Sequence, residues 1–287
     1  MNITAQDVKA LREKTGCGMM DCKKALVEAN GDAQTAIDIL RKKGLDASAK
    51  KSGRVASEGV AMAITNDDNT VGVCIEVNSE TDFVAKNSKF LEFVKICAET
   101  VMHSNPLNLE ELLATKAYRE DKKIDDLLKE NILVIGENIK IRRFERFEGA
   151  VSTYVHASGR MASLVVFNVS SEFISNDEFK TFSNDIAMHV VAANPLYIDR
   201  HSISQSIIDH EKKIFSEQIA KEGKPESIAQ KIAEGRMGKF YEENCLLEQP
   251  FVKDTKISVG SYIKSVSENL ATNLSVKSFV RYEKGGQ

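Results

Sequence analysis

The sequence predicts an α+β fold. An N-terminal three-helix module is followed by a linker and then by a core made of two copies of a hairpin-plus-helix unit. An antiparallel helical hairpin is inserted into the second copy. Three observations carry this prediction. Apolar residues recur at helical spacing through residues 1–44. From residue 58 the pattern switches to strict alternation across a polar turn. The apolar face of the following helix then reappears at an offset of 89 residues.

In the first module, Val8 and Leu11, then Ala25 and Leu26, then Ala36, Ile37 and Leu40 mark three helices. Thr4 with Asp7 three residues on has the form of a capping box. The Thr15-Gly16-Cys17-Gly18 stretch stops the first helix, and Asn30-Gly31-Asp32 stops the second and caps the third. Three short helices with these turns resemble a ubiquitin-associated domain. Residues 45–57 are small, basic and polar, which predicts a linker; Lys50, Lys51 and Arg54 read as its solvated charges.

Val60, Met62 and Ile64 alternate, Asn66-Asp67-Asp68-Asn69 turns the chain, and Val71, Val73, Ile75 and Val77 alternate again, predicting a β-hairpin. A helix is expected over 87–103, with Phe90, Phe93, Val94 and Ala98 on one face, and further helix over 109–133. Strands are expected from Ile139 and again over 150–157 and 161–169. At the repeat offset, Phe90 falls on Phe179, Phe93 on Phe182, Asn87 on Asn176, and Asn105-Pro106 on Asn194-Pro195. The repeat divides the core into residues 58–138 and residues 139–201 with 248–287. Residues 202–247 carry two helical stripes, Ile207, Ile208, Ile214, Phe215 and Ile219, then Ile228, Ile232, Met237 and Phe240. Gly223-Lys224-Pro225 between them reads as a stop and a restart. A helix over 259–270 and a strand over 276–282 end the chain.

Composition narrows the function. The 287 residues suggest about two domains. Thirty-nine basic against 42 acidic residues, for a net charge of −3, argue against a surface built mainly for nucleic acid. No apolar run reaches the roughly 20 residues of a membrane span. The N-terminus shows neither an apolar nor an Arg-rich leader, so the expected location is the cytoplasm. The five cysteines are odd in number and form no CxxC pair, as in a reducing compartment. There is no P-loop, dinucleotide fingerprint, GxSxG elbow or HExxH. The histidines at 103, 156, 189, 201 and 210 have no metal-ligand spacing with the cysteines. No catalytic residue, metal or cofactor is therefore assigned, and a protein that works through its surfaces is expected.

The segment 76–86, EVNSETDFVAK, links a strand to a helix. Its plain reading makes Asp82 a cap and Phe83 a core residue. The second copy has Ser170, Ser171, Glu172 and Phe173 there, so the unit can be built without Thr-Asp-Phe-Val, and Phe83 is a candidate plug for a partner groove.

That segment and residues 11–26, LREKTGCGMMDCKKAL, closely resemble two signatures of the translation elongation factor Ts family. Residues 154–157, 187–195 and 249–254 add looser matches in the same order, so the resemblance spans nearly the whole chain. It implies an exchange factor, not an enzyme, that binds elongation factor Tu in its GDP-bound and nucleotide-free forms. No direct nucleic-acid or membrane partner is implied, and a weak homo-oligomer is left open. The resemblance assigns Thr81, Asp82, Phe83 and Val84 to the loop whose Phe wedges between helices of the GTPase and disturbs its magnesium and phosphate site. It assigns Arg12, Met19 and Met20 to a helix of the GTPase's nucleotide domain, and His156 to the side facing its other domains. Ala157 departs from the glycine common in the family. Some members carry a further C-terminal helix; the expectation here is a chain without it. Against these assignments stand plainer ones: a packing pair for Met19 and Met20, a solvated charge for Arg12, a satisfied strand residue for His156. The alternative function is a ubiquitin-associated-type adaptor that binds nascent chains or ribosomes through residues 1–44.

Overall fold

The computed structural model describes residues 3–220 and 226–286. Helix α1 (Ala5–Thr15) opens with the expected capping box, the Thr4 hydroxyl accepting from the Asp7 amide at 3.2 Å while the Thr4 amide donates to the Asp7 carboxylate at 2.9 Å. Helix α2 (Met19–Glu28) follows a glycine turn, and α3 (Ala33–Lys51) starts on the Asp32 cap. Val8, Leu11, Cys22, Leu26 and Leu40 are buried between them. The linker prediction needs correction, because α3 continues through residues 45–51 and only 52–57 are non-helical. Ala and Lys are good helix formers. This helix also packs along α7 (Ile124–Ile135), whose Leu133 and Val134 join the first module's core. The module therefore sits on the rest of the protein along a helix-helix contact.

Strand β1 (Glu58–Thr65) pairs with β2 (Val71–Ser79), Val60 opposite Val77 and Ile64 opposite Val73, as the alternation predicted. A third strand, β3 (Lys140–Glu148), pairs with the other edge of β2. The division between residues 138 and 139 is therefore corrected: β3 completes the first sheet, and the break falls at Gly149. The second run of strands starting at Ile139 suggested a boundary that hydrogen bonding to β2 overrides. The second sheet has the order β4-β5-β8, from β4 (Ala150–His156), β5 (Met161–Asn168) and β8 (Ser275–Glu283).

The two sheets pack face to face. Ala61, Ala63 and Cys74 meet Val151, Ala162, Leu164, Val166 and Tyr282. A Cβ at Gly72 would lie 2.6 Å from Leu164, so the sheets approach as closely as they do because these residues are small. The opposite faces carry helices. Helix α5 (Ser88–Ser104) covers Val73, Ile75 and Val77, and α8 (Asp177–Ala193) covers Val165 and Phe167. The layers run helix, sheet, sheet, helix.

The duplication extends to the caps. Asn87 and Asn176 cap the two helices, and Asn105 and Asn194 end them in the left-handed region at φ 49° and 48°. Phe90, Phe93, Phe179 and Phe182 are all buried at equivalent places. Between the copies, the helix expected over 109–133 is instead α6 (Leu109–Ala114) and α7, separated by a turn bridged from Lys116 to Lys123. That polar stretch has no apolar stripe to bury, and the Tyr118 amide is drawn to Thr100 Oγ1 at 2.9 Å.

Helices α9 (Gln205–Ala220) and α10 (Glu226–Asn244) pack on each other as the inserted arm. Ile219 and Met237 are buried, but Ile228 of the expected second stripe is 48% exposed. Gly223-Lys224-Pro225 lies outside the described residues. The arm returns to the core at Leu246, followed by β6 (Pro250–Phe251), β7 (Asp254–Ser258) and α11 (Val259–Asn269).

Two buried polar groups hold the frame. Glu76 on β2 is fully buried. A bulge between Glu76 and Val77 leaves Arg142 as an extra residue beside Arg143, which is opposite Glu76. Both arginines reach the carboxylate, at 3.0 and 2.7 Å, and the Asn78 amide and the Gly285 backbone N–H complete it at 3.1 and 3.0 Å. His189 on α8 is also fully buried. Its Nδ1 accepts from the Val252 amide at 3.3 Å, which leaves the proton on Nε2 to be donated to Gln249 Oε1 at 2.9 Å. Gln249 in turn donates to the Ala193 and Glu243 carbonyls. The residues at 187–195 and 249–254 are thus the two sides of one lock.

Glu76→Ala should lower unfolding free energy by about 3 kcal/mol, the low end for a broken buried ion pair because the arginines keep some solvent. A denaturant midpoint unchanged from wild type would contradict this. Burial pulls His189 below its ordinary value of 6.5. The unfolded chain therefore binds the extra proton between 6.5 and the lower folded value, so stability is full above about pH 6.5 and falls as pH drops below it. Melting temperature measured from pH 7 to pH 5 should decline, and His189→Gln should flatten that slope. Equal slopes would remove His189 as the cause.

Candidate partner-binding loop

The signature loop starts from the most constrained strand in the protein. At the end of β2, Asn78 and Ser79 are buried, with Asn78 Nδ2 donating to the Glu58 carbonyl at 3.1 Å and Ser79 Oγ to the Thr81 carbonyl at 3.0 Å. The chain then makes one helical turn, α4 (Asp82–Ala85). Its cap is Thr81, whose hydroxyl accepts from the Val84 amide at 3.4 Å, and not Asp82 as the plain reading had it. Asp82 is exposed and pairs with Lys86 at 3.2 Å, a surface contact of little energetic weight.

The turn divides its apolar residues. Val84 and Ala85 are buried in the first core beneath α5. Phe83 points outward and is 81% exposed. A buried Phe would contribute roughly 1.5–3 kcal/mol to folding, and this one forgoes it. The second copy makes a comparable turn at Ser171–Phe173, where Phe173 is half-buried. The unit therefore does not require an exposed aromatic ring.

The other predicted residues lie at two further places. Arg12 is exposed in the last turn of α1, and Met19 and Met20 are 42% and 63% exposed at the start of α2. The Gly16 turn between them lies against Lys89: a Cβ on Gly16 would be 2.6 Å from its Nζ. This brings the first module to the N-terminal end of α5, the helix entered from the Phe83 turn. His156 is exposed at the end of β4 in the other sheet, its Nδ1 3.4 Å from the Tyr154 hydroxyl. After it, Ala157 and Ser158 hold left-handed φ values of 48° and 54°. Ala157 takes the conformation that glycine would hold without strain.

These residues stand at separate places in the fold: the α4 turn, the α1–α2 turn and the end of β4. Among the described residues no group of three or more His, Cys, Asp or Glu could hold a metal, and no helix is long and apolar enough to cross a membrane. Sequence reasoning missed Glu80, Glu137 and Asn138, which bracket the loop. Glu137 accepts from the Thr81 amide and hydroxyl at 3.0 and 2.7 Å, and Glu80 accepts from the Asn138 amide at 2.6 Å. The only signal was Gly136 ending a helical stripe, which says nothing of a contact 56 residues away.

A family model described as "Elongation factor TS" matches residues 80–286, beginning at this loop. Elongation factor Ts of Clostridium kluyveri is 46% identical over 287 residues, covering 99% of this chain and 93% of that protein. The proteins of the same name from Trichlorobacter lovleyi and Halothermothrix orenii are each 44% identical, again over 99% of this chain and 93% of their own length. With an exposed Phe at the turn where that match begins, and the likeness running through both copies of the core, this chain belongs to the elongation factor Ts family.

Proposed function

We propose that this chain promotes release of GDP from elongation factor Tu in the cytoplasm, acting by binding, with Phe83 as the ring that enters the GTPase near its magnesium and phosphate site. The observation that carries this reading is the exposure of Phe83 on a turn whose neighbours, Val84 and Ala85, are anchored in the core. Exchange of this kind requires no reactive group in the factor. It requires binding energy directed to a GTPase conformation that holds nucleotide poorly. Coupling is reciprocal, so a returning nucleotide expels the factor. A rigid aromatic wedge suits the task because magnesium tolerates little departure from its preferred coordination geometry.

Arg12, Met19 and Met20 form a second contact in this reading, and His156 a third. Thr81, Asp82 and Val84 shape the turn around Phe83. Spread over separate places in the fold, such contacts grip different parts of a large partner and let the wedge act from a fixed position.

Phe83→Ala should slow release of labelled GDP from elongation factor Tu by at least about tenfold, the equivalent of an interface anchor of roughly 1.4–2 kcal/mol. Its melting temperature should stay near wild type, because an exposed side chain costs folding only about ±0.5 kcal/mol. Normal exchange by Phe83→Ala would sink the wedge. The double variant Met19→Ala, Met20→Ala should fold normally and raise the dissociation constant for elongation factor Tu about fivefold, one kcal/mol or so of lost contact. Unaltered affinity by calorimetric titration would return these residues to ordinary surface.

A further inference from the structure

We propose that Glu137 is a positioning residue for the Phe83 turn, acting through Thr81; the inference rests on the reading of Phe83 as the wedge. A helical turn of four residues cannot hold its own shape, because so short a helix does not repay the cost of nucleation. Its orientation must be imposed from outside. On the C-terminal side Val84 and Ala85 do this by burial. On the N-terminal side Ser79 Oγ holds the Thr81 carbonyl at 3.0 Å, and the Glu137 carboxylate holds both donors of Thr81, with one oxygen on the amide at 3.0 Å and the other on the hydroxyl at 2.7 Å. Phe83 lies between these two anchors.

The clamp is reciprocal. Glu137 reaches the loop's backbone, and Glu80 of the loop reaches back to the Asn138 amide at 2.6 Å. Each segment supplies a carboxylate to the other's N–H. Asn138 is itself buried and donates to the Arg54 carbonyl at 2.8 Å, and the Arg54 guanidinium approaches Glu80 at 3.5 Å. Gly136 at φ 87° makes the turn that frees residues 137 and 138 from α7 to do this. With its hydroxyl donating to Glu137 and accepting from Val84, Thr81 is engaged within the chain. A wedge held in its docking orientation loses less freedom on binding.

The chain contains no tryptophan, so Phe83→Trp places a single indole, excited apart from the tyrosines, at the turn. Time-resolved anisotropy of that indole in the free protein should show a larger fast-motion amplitude when Glu137→Ala is added. With Phe83 retained, Glu137→Ala should slow GDP release from elongation factor Tu about five- to tenfold at subsaturating factor. Glu137→Gln, which keeps an acceptor for Thr81, should recover most of the loss. Thr81→Val, which removes only the hydroxyl, should go the same way by a smaller factor. Unchanged anisotropy in Glu137→Ala overturns the proposal, as does a lowered melting temperature with normal exchange per folded molecule. Loss of exchange in Phe83→Ala but not in Glu137→Ala also overturns the clamp while leaving the wedge intact. Normal exchange in Phe83→Ala removes the wedge itself, and with it the role proposed for Glu137.

Discussion

Strand β2 is buried on both faces and paired on both edges, and the rest of the molecule is arranged around it. One face takes α5 through Val73, Ile75 and Val77. The other meets the second sheet through Gly72 and Cys74, small enough to let the sheets close. Such a strand has almost no freedom to shift register, since a one-residue slip would exchange the two sets of side chains. Glu76 deepens the constraint. Its carboxylate draws Arg142 and Arg143 from β3 and the Gly285 amide from the end of the chain to one point. The Lys284 side chain meets Glu58, and its amide donates to the Arg160 carbonyl at 3.0 Å. The last residues therefore tie the two sheets together.

This rigidity is what the loop inherits. Three residues separate the buried end of β2 from Phe83, and two of them, Glu80 and Thr81, are bonded to the Glu137–Asn138 segment. The hydrophobic cost of an exposed phenylalanine is small beside the burial between four packed layers, so the fold can carry it. The attachments follow the same logic. The first module is held by a helix-helix contact along α7, and the arm is rooted by the His189–Gln249 lock and Leu246. Each is joined to the core at a packed base and not by a loose tether.

Duplication explains both the economy of the core and its asymmetry. The copies share helix caps at Asn87 and Asn176, left-handed stops at Asn105 and Asn194, and paired phenylalanines. They share the bulge on the third strand as well, at Val77 in one and Phe167 in the other. They differ where function is proposed. The turn after β2 exposes its Phe, while the turn after β5 keeps its Phe half-buried. The arm enters only the second copy, between α8 and β8.

Much of this was legible in the chain itself. Local periodicity determined the three helices of the first module, the β1–β2 hairpin and the caps, because each rests on residues a few positions apart, and the repeat showed itself as the same local pattern recurring 89 residues on. Gly, Asn and Pro at helix ends act through their own backbone preferences, so their effect needs no tertiary context. The motif residues identified the loop, and comparison with the second copy made Phe83 a candidate plug, which is exposed as that reading requires. Phe, Val and Ala in succession have no intrinsic inside, so how the turn divides them was decided by the packing of Val84 and Ala85. What only tertiary structure decided depends on partners distant in the chain. Residues 45–51 are helical because α7 lies beside them; β3 joins the first sheet because β2 has a free edge; the 115–123 turn breaks a helix because Thr100 claims the Tyr118 amide. Glu76 and Glu137 look like ordinary surface carboxylates in the sequence. Folding removes water from the first and aims the second at Thr81, and a carboxylate placed so acquires a role that no spacing of residues announces.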